Sequence, residues 1–201
     1  MTKRVVGVYS VAMIICLILA PQAHGVTALE TVQKKVNEVL NVLRDPALQV
    51  ESAKEVKEKK LWNIADTMFD YSELSRRTLG ANWEKLNSSQ QKEFTDLFST
   101  HLGNVYMDRI VTYTDEEVVF DKEKRKDERA LVYTRVITRT KEIPIDYRTI
   151  LRDGEWKIYD VVIEGVSLVE NYRSQFREML RKETPEYLLQ TLREKVEGRP
   201  S

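Results

Sequence analysis

Cysteine is almost absent from this chain of 201 residues, in which Cys16 is the only one. It lies within an apolar N-terminal run, and removal of that run would leave a protein with no cysteine at all. This excludes disulfide bonds and thiol catalysis, so an exported form of the protein must be stabilised by packing alone.

Histidine is nearly as rare, with only His24 and His101 in the chain. Proton transfer by a histidine needs a positioned partner, so a lone histidine on a predicted helix is interpreted as a packing or surface residue. The sequence contains no HExxH, GxSxG, P-loop or GxGxxG motif. The acidic triplet at 115–117 lacks the alternate spacing of a calcium loop. We therefore expect no catalytic residue, no cofactor and no metal site.

An excess of charge of one sign is also lacking, because 32 Lys and Arg residues balance 32 Asp and Glu residues. Without Lys3 and Arg4, 30 basic residues face 32 acidic ones, a net charge of −2. Such a chain has no overall attraction to nucleic acid, and none is expected as a partner. The mixed-charge run KEKRKDER at 122–129 is interpreted as a solvated hairpin loop.

The N-terminus has the pattern of a targeting segment. Lys3 and Arg4 precede an apolar run at 5–20, and Ala-His-Gly at 23–25 has the small-x-small pattern of a signal-peptidase site. The run is short for a membrane span, and no charged stop follows it. We expect residues 1–25 to be a cleaved secretory signal peptide; the alternative is an uncleaved membrane anchor. Residues 26–201 then form a single domain.

Helical patterns fill the first half of that domain. Thr27 and Glu30 form a capping box, and apolar residues at spacings of three and four continue to 43. Further helices are predicted at about 49–68, from a cap at Asp70 to Gly80, and from 88 to 110, where Gly103 is a local weakness.

The pattern then changes to the period of two that is typical of strands. Strands are predicted at 117–121, 130–140, 143–151 and 156–163, with a tight turn at Asp153-Gly154. Helices resume at 168–182 and after the Thr184-Pro185 cap, giving an α+β domain with an antiparallel sheet of about four strands.

Two segments resemble the signature of one protein family. Residues 159–176 read YDVVIEGVSLVENYRSQF, a strand, a Glu-Gly corner and an amphipathic helix. Residues 69–80 read FDYSELSRRTLG and are followed by Trp83 and by SQQ at 89–91. Together they resemble the MlaC family, also called toluene-tolerance proteins, and the resemblance covers almost the whole chain after the predicted signal peptide.

The resemblance implies a non-enzymatic periplasmic carrier that binds a glycerophospholipid by its acyl chains. It would shuttle the lipid between an outer-membrane lipoprotein complex and an inner-membrane ABC transporter with an Mce-type ring. The implied fold packs helices on the concave face of a twisted antiparallel sheet and encloses an apolar cavity. We expect a monomer with a phospholipid ligand.

Residues that line the cavity are predicted from the alternation of strand and helix faces. They are Phe98, Leu102, Tyr106, Val132, Thr134, Val136, Ile145, Tyr147, Ile158, Tyr172 and Phe176. Plain core packing is the alternative for each aromatic residue among them.

Glu164 and Arg173 lie near the corner of the first signature segment. Gly165 in that corner permits a positive φ where the strand turns into a helix. We expect Glu164 and Arg173 to fix the pocket wall or to contact a partner; the alternative is that they form local ion pairs.

Two other classes of function remain open. An enzyme of the isomerase or dehydratase type would use a buried carboxylate or tyrosine in the same cavity, such as Asp146 or Tyr147. Strand alternation disfavours Asp146, because it faces away from Ile145 and Tyr147. A periplasmic chaperone or lipoprotein carrier would favour an open apolar groove over a closed pocket.

Overall fold

The computed structural model describes residues 25–111 and 116–198. The predicted signal peptide, apart from Gly25, lies outside the described residues, as does Asp115 of the acidic triplet. Within the described ranges, no helix is both long and apolar enough to cross a membrane.

Six α-helices and one sheet form the described part of the chain. The helices are α1 Ala28–Arg44, α2 Lys54–Met68, α3 Tyr71–Leu79, α4 Ser88–Val111, α5 Leu168–Leu180 and α6 Pro185–Glu197. The strands are β1 Glu117–Lys126, β2 Arg129–Ile137, β3 Glu142–Arg152, β4 Glu155–Ile163 and β5 Val166–Ser167. They pair antiparallel in the order β1-β2-β3-β4-β5, so the predicted α+β class is confirmed.

The sheet has five strands rather than about four. The additional strand, β5, has two residues and pairs with the end of β4 across the Glu164-Gly165 corner. A strand of two residues is too short to produce an alternating pattern, which is why the sequence did not reveal it. Both corner residues have positive φ, 49° at Glu164 and 82° at Gly165.

The interpretation of 122–129 as a solvated hairpin is confirmed, since only Glu123 among its residues is not fully exposed, but most of it is strand rather than loop: β1 continues to Lys126, and only the turn at 127–128 separates it from β2. Glu123 accepts a hydrogen bond from the Leu29 backbone N–H at 2.6 Å. The Arg125 guanidinium stacks over the Trp156 ring at 5.0 Å. Contacts far along the chain therefore hold this polar segment in the sheet.

Other element ends differ by a few residues from those predicted. α2 begins at Lys54 rather than 49, because two short 3-10 turns occupy part of 46–53. β2 ends at Ile137 rather than 140. There the Thr138 hydroxyl accepts hydrogen bonds from the backbone N–H groups of Thr140 and Lys141 and forms a turn.

The predicted face alternation is confirmed by the register of β2 and β3. Val132 pairs with Tyr147, and Thr134 pairs with Ile145. Directly paired residues project from the same side of an antiparallel sheet. We call this side the inner face and the opposite side the outer face.

Helix α1 packs on part of the inner face. Its apolar side chains join strand residues and the end of α2 in a group that we call the sheet cluster. The buried members are Ala28, Val32, Val36, Met68, Ala130, Val132, Trp156 and Ile158.

The Thr27–Glu30 capping box is confirmed. At the other end the Arg44 guanidinium donates to the Glu116 carbonyl at 2.6 Å, so both ends of α1 are fixed to β1.

The other helices form a separate apolar group, the helix cluster. It is built from α3, α4, α5, α6 and the turn after α3. Its buried members are Leu74, Leu79, Leu86, Phe94, Phe98, Leu102, Val169, Phe176, Leu188, Leu189 and Leu192. Phe69, between α2 and α3, packs against both the helix cluster and the sheet cluster.

A smaller cluster joins α1, α2 and α4 around Leu43, Leu61 and Met107, with Trp62 packed against it. Gly103 on α4 is therefore not a weakness but a contact point. A Cβ built there would lie 1.8 Å from Cη2 of the Trp62 indole. Only glycine permits the indole of α2 to approach the α4 backbone this closely.

The buried carboxylate of Asp160 joins the sheet to α5. Its side chain is 1% exposed. It accepts hydrogen bonds from Nη1 of Arg148 at 2.9 Å, from the Ser167 hydroxyl at 2.6 Å and from the Val169 backbone N–H at 3.0 Å. The Val169 N–H is one of the unpaired donors in the first turn of α5. One acidic side chain therefore fixes β3, β4, β5 and α5 together.

Replacement of Asp160 by Ala should lower the free energy of unfolding by about 3 kcal/mol, because it leaves the buried Ser167 hydroxyl and Val169 N–H without their acceptor. Urea denaturation followed by circular dichroism measures the change. Asp121→Ala is the matched control, since Asp121 pairs with Arg135 at a more exposed site and should contribute less than about 1 kcal/mol. Equal effects of the two substitutions would contradict this role of Asp160.

Gly103→Ala should destabilise the protein by about 2 kcal/mol through overpacking against Trp62. The usual effect has the opposite sign, since Ala stabilises a helix interior by about 1 kcal/mol relative to Gly. In a Trp62→Leu background, which removes the ring, the same substitution should be neutral or stabilising. Denaturation of the native protein, the two single variants and the double variant completes the cycle; stabilisation by Gly103→Ala in the native background would refute the contact.

Candidate functional site

The predicted lining residues divide between the two apolar layers of the protein. Phe98, Leu102, Tyr106, Tyr172 and Phe176 belong to the helix cluster or pack against it. The other six lie on the strands.

The aromatic residues from α4 and α5 contact one another closely. The ring centroids are 5.0 Å apart for Phe98 and Tyr172 and 5.3 Å apart for Phe98 and Phe176. Phe94 adds a further ring 5.6 Å from Phe176. Phe98 is 1% exposed and Phe176 is 4% exposed. These two phenylalanines therefore fill a core between helices, whereas Tyr172 is half-buried at its edge.

The strand residues all lie on the inner face, but at different depths. Val132 and Ile158 are buried members of the sheet cluster, and Tyr147 packs against it. Val136 is buried, whereas Ile145 is half-buried, and neither belongs to any of the three apolar clusters.

Four half-buried side chains form a continuous apolar strip on the inner face of β3 and β4. Tyr147 pairs with Val161, and Ile145 pairs with Ile163. We call these four residues the inner strip. α1 packs on β1 and β2, and the inner strip keeps partly exposed apolar surface. It is thus the part of the inner face that remains available to an apolar ligand.

The hydroxyl of Thr134, beside the inner strip, already has a hydrogen-bond partner in the sheet. The Thr134 hydroxyl donates to the Ile145 carbonyl. Burial raises the pKa of Tyr147 to about 12, although the nearby Thr134 hydroxyl acts in the opposite direction. The phenol is therefore neutral at physiological pH, and the inner strip carries no charge.

Asp146 and Tyr147 project from opposite faces of the sheet. Asp146 pairs with Tyr133 and Val162 on the outer face. Burial raises the pKa of Asp146, and the nearby Thr134 backbone and Arg148 act against the rise. The carboxylate and the phenol are divided by the sheet, which is not the arrangement that an enzyme using both in one cavity requires. Within 25–111 and 116–198, no group of three or more His, Cys, Asp or Glu residues could hold a metal ion.

A cleft of about 440 Å³ lies between α4 and α6. It is lined by His101, Asn104, Val105, Glu194, Lys195 and Gly198, and thus by none of the predicted lining residues. Burial and the nearby Lys195 charge lower the pKa of His101, whose Nε2 is 3.4 Å from the Tyr172 hydroxyl oxygen. Two of the six lining residues, Glu194 and Lys195, carry charged groups, which an acyl-chain site does not require.

The two predicted docking residues lie in different local environments. Glu164 is exposed, and its carboxylate is 3.7 Å from Nζ of Lys141. The Arg173 guanidinium instead donates twice to the Arg77 carbonyl, at 2.9 and 2.7 Å. Arg173 thus satisfies a carbonyl in the last turn of α3. Contact with a partner stays a prediction for both residues.

The two signature segments contact each other directly. The Asp70 N–H donates to the Ile158 carbonyl at 2.8 Å, which fixes the start of α3 to the edge of β4. The Arg77 guanidinium lies 4.1 Å from the centroid of the Tyr159 ring. With the Arg173 bonds, these contacts join α3, β4 and α5. The signature residues named here therefore hold the two layers together rather than line the inner strip.

Glu73 is the buried charge of the second signature segment, with 5% exposure. It accepts hydrogen bonds from Arg76 and Arg77 at 2.7 to 3.0 Å, and Nη2 of Arg152 is 3.5 Å away. Burial acts to raise the pKa of Glu73, but the arginine hydrogen bonds outweigh it and hold the pKa below its ordinary value. The sequence signal was the EXXRR spacing, which puts both arginines one helical turn from the acid.

Comparisons with known proteins agree on one family. The profile described as MlaC protein matches residues 33–194. Toluene tolerance protein ttg2D of Pseudomonas putida is 23% identical over 156 residues, covering 76% of this chain and 73% of that protein. The intermembrane phospholipid transport system binding protein MlaC of Haemophilus influenzae is 25% identical over 113 residues. That match covers 53% of each protein, so the chain spans about half the length of this relative.

A solved structure gives the same fold. It is the phospholipid-binding protein of Ralstonia solanacearum in complex with a phospholipid, with a TM-score of 0.76 and 24% sequence identity. The superposition covers 86% of this chain and 98% of that one. With the family profile matching residues 33–194 and both signature segments inside that range, the chain belongs to the MlaC family.

Proposed function

We propose that this protein is a periplasmic carrier that binds a glycerophospholipid by its acyl chains in the space between the inner strip and the helix cluster. The observation that carries the proposal is the inner strip, an uncharged and partly exposed apolar surface inside an otherwise well-packed fold. Membership in the MlaC family and the phospholipid-bound relative of the same fold support it.

The energetics of lipid transfer explain why such a surface is needed. Two acyl chains contain about 30 methylenes, and exposing them to water would cost on the order of 24 kcal/mol. Transfer from a bilayer into an apolar site exchanges one apolar environment for another, so its net free energy can be small. The carrier needs no bond-making chemistry, which agrees with the lack of catalytic motifs in the sequence.

Residues of both the sheet and the helices would contact the acyl chains. Ile145, Val161 and Ile163 offer aliphatic surface to the chains, and Tyr147 adds a neutral ring. Because the Thr134 hydroxyl already donates to the Ile145 carbonyl, an apolar ligand would not leave these two groups without partners. Leu102, Tyr106 and Tyr172 are the candidates on the helix side.

The route of the shuttle is a further part of the proposal. The Haemophilus relative is named as the binding protein of an intermembrane phospholipid transport system. By analogy, this carrier would exchange lipid with an outer-membrane lipoprotein complex and an inner-membrane Mce-type ABC transporter. Export by a signal peptide at 1–25 would deliver it to the periplasm, with Glu164 and Arg173 as candidate docking residues. A chaperone or lipoprotein carrier is the competing function.

Native mass spectrometry of the purified protein tests lipid binding. We expect phospholipid to copurify at about one molecule per chain, because the apolar site would otherwise be exposed to water. Organic extraction then identifies the lipid class. A protein that is ligand-free and takes up no lipid from vesicles would refute the carrier function.

Ile145→Asn should reduce the copurified lipid several-fold, because it introduces an unpaired amide into the inner strip. Lipid extracted per mole of protein is the measurement. Val119→Asn provides the control: Val119 is also half-buried in the sheet, but it pairs with Arg135 on the outer face. Equal lipid content in the two variants would place the ligand somewhere other than the inner strip.

A further inference from the structure

The strand at 122–126 sorts a run of mixed charges into two faces. Glu123 and Arg125 project to the inner face, where they contact Leu29 and Trp156. Lys122, Lys124 and Lys126 therefore project to the outer face, because successive side chains of a strand alternate. The result is a row of three lysines whose Cα atoms are about 7 Å apart along one strand.

The neighbouring strand extends this row. Lys122 pairs with Tyr133, Lys124 with Leu131 and Lys126 with Arg129. Directly paired residues share a face, so Arg129 joins the three lysines. We call Lys122, Lys124, Lys126 and Arg129 the basic stripe; all four are exposed.

The centre of the basic stripe is aromatic. The ammonium groups of Lys122 and Lys124 lie 5.4 and 5.5 Å from the centroid of the Tyr133 ring. Leu131 and Tyr133 are both half-buried. This face thus combines a phenol with cations at its rim, a combination suited to an interface between apolar and aqueous phases.

Asp121 and Asp160 are engaged by arginines, whereas Asp127 and Glu128 lie exposed in the turn at the end of the stripe. Asp121 forms a two-bond pair with Arg135. Asp160 is buried against Arg148. Asp146 lies across from Tyr133 in β3. Within the described part of the chain, no ion pair neutralises the four cations of the basic stripe.

We propose that the basic stripe docks the protein on the surface of a bilayer that contains anionic phospholipid. Three of the four cations are lysines, whose compact charges suit a diffuse anionic surface better than the two-bond pairing that arginine makes with carboxylates. Lysine is also depleted in protein–protein interfaces, which favours a membrane over an acidic protein. The inference rests on the proposed function only in taking a bilayer as the partner.

Such docking would be weak and reversible, as a shuttle requires. Each cation near an anionic surface contributes about a fivefold gain in affinity, and salt screens it. Leu131 and Tyr133, the large apolar residues beside the basic stripe, are half-buried, so neither inserts deeply into the bilayer. The protein would be held near its lipid source and released without extraction from the membrane.

Vesicle flotation tests the proposal. Purified protein is mixed with vesicles of phosphatidylcholine alone or of phosphatidylcholine with phosphatidylglycerol, at low and high salt. We expect flotation only with phosphatidylglycerol and only at low salt. The double substitution Lys122→Glu and Lys124→Glu should lower the vesicle partition coefficient at least about 25-fold.

The matched control is the double substitution Lys34→Glu and Lys85→Glu. It makes the same change in net charge at exposed lysines of α1 and of the turn after α3, and it should leave flotation nearly unchanged. Equal loss in both double variants, equal flotation with neutral vesicles, or no flotation at all would overturn the proposal. The proposal would also be overturned if the Lys122→Glu and Lys124→Glu variant kept its binding to vesicles but lost binding to an acidic protein.

Lipid content separates this proposal from the proposed function. The basic stripe lies on the outer face and the inner strip on the opposite side, so Lys122→Glu with Lys124→Glu should retain the copurified phospholipid. A variant that keeps its lipid but no longer floats supports docking by the stripe. A native protein without lipid that still floats in the expected way would refute the carrier function alone.

Discussion

The buried carboxylate of Asp160 is the constraint on which the arrangement of the two layers depends. It connects β3 through Arg148 to Ser167 of β5 and to the first turn of α5. α5 in turn carries Arg173, which binds the end of α3, and Phe176, which lies in the helix cluster. A single acidic group in the first signature segment thereby sets where the helix cluster lies relative to the sheet.

This role changes how the signature is understood. Asp160, Glu73, Arg77 and Arg173 bind each other's elements, and none belongs to the inner strip. The polar residues of the signature therefore encode the junction of the layers, while Val161 and Ile163 of the same segment contribute ordinary aliphatic surface to the inner strip. Many apolar residues can line an acyl chain, whereas few can replace a buried acid with three donors around it.

Local patterns predicted much of the fold. The period of two correctly placed Val132, Thr134, Ile145 and Tyr147 on one face, and it separated Asp146 from them. What failed depended on contacts distant in the chain. The run at 122–129 has no apolar alternation that indicates a strand, and contacts of Glu123 with Leu29 and of Arg125 with Trp156 hold it in the sheet. Gly103 appeared to be a helix defect because its partner, Trp62, lies on another helix. For the site, helical spacing alone could not distinguish Phe98 and Phe176, which fill a core, from residues that border a ligand.

In the proposed function, the ligand lies between the two layers that the signature joins. A crystal structure of the protein purified with its phospholipid tests this most directly. We predict acyl-chain density in contact with Ile145, Tyr147, Val161 and Ile163, with the head group towards solvent and the Asp160 junction intact. Density for the chains in the cleft between α4 and α6, or on the outer face, would contradict the account.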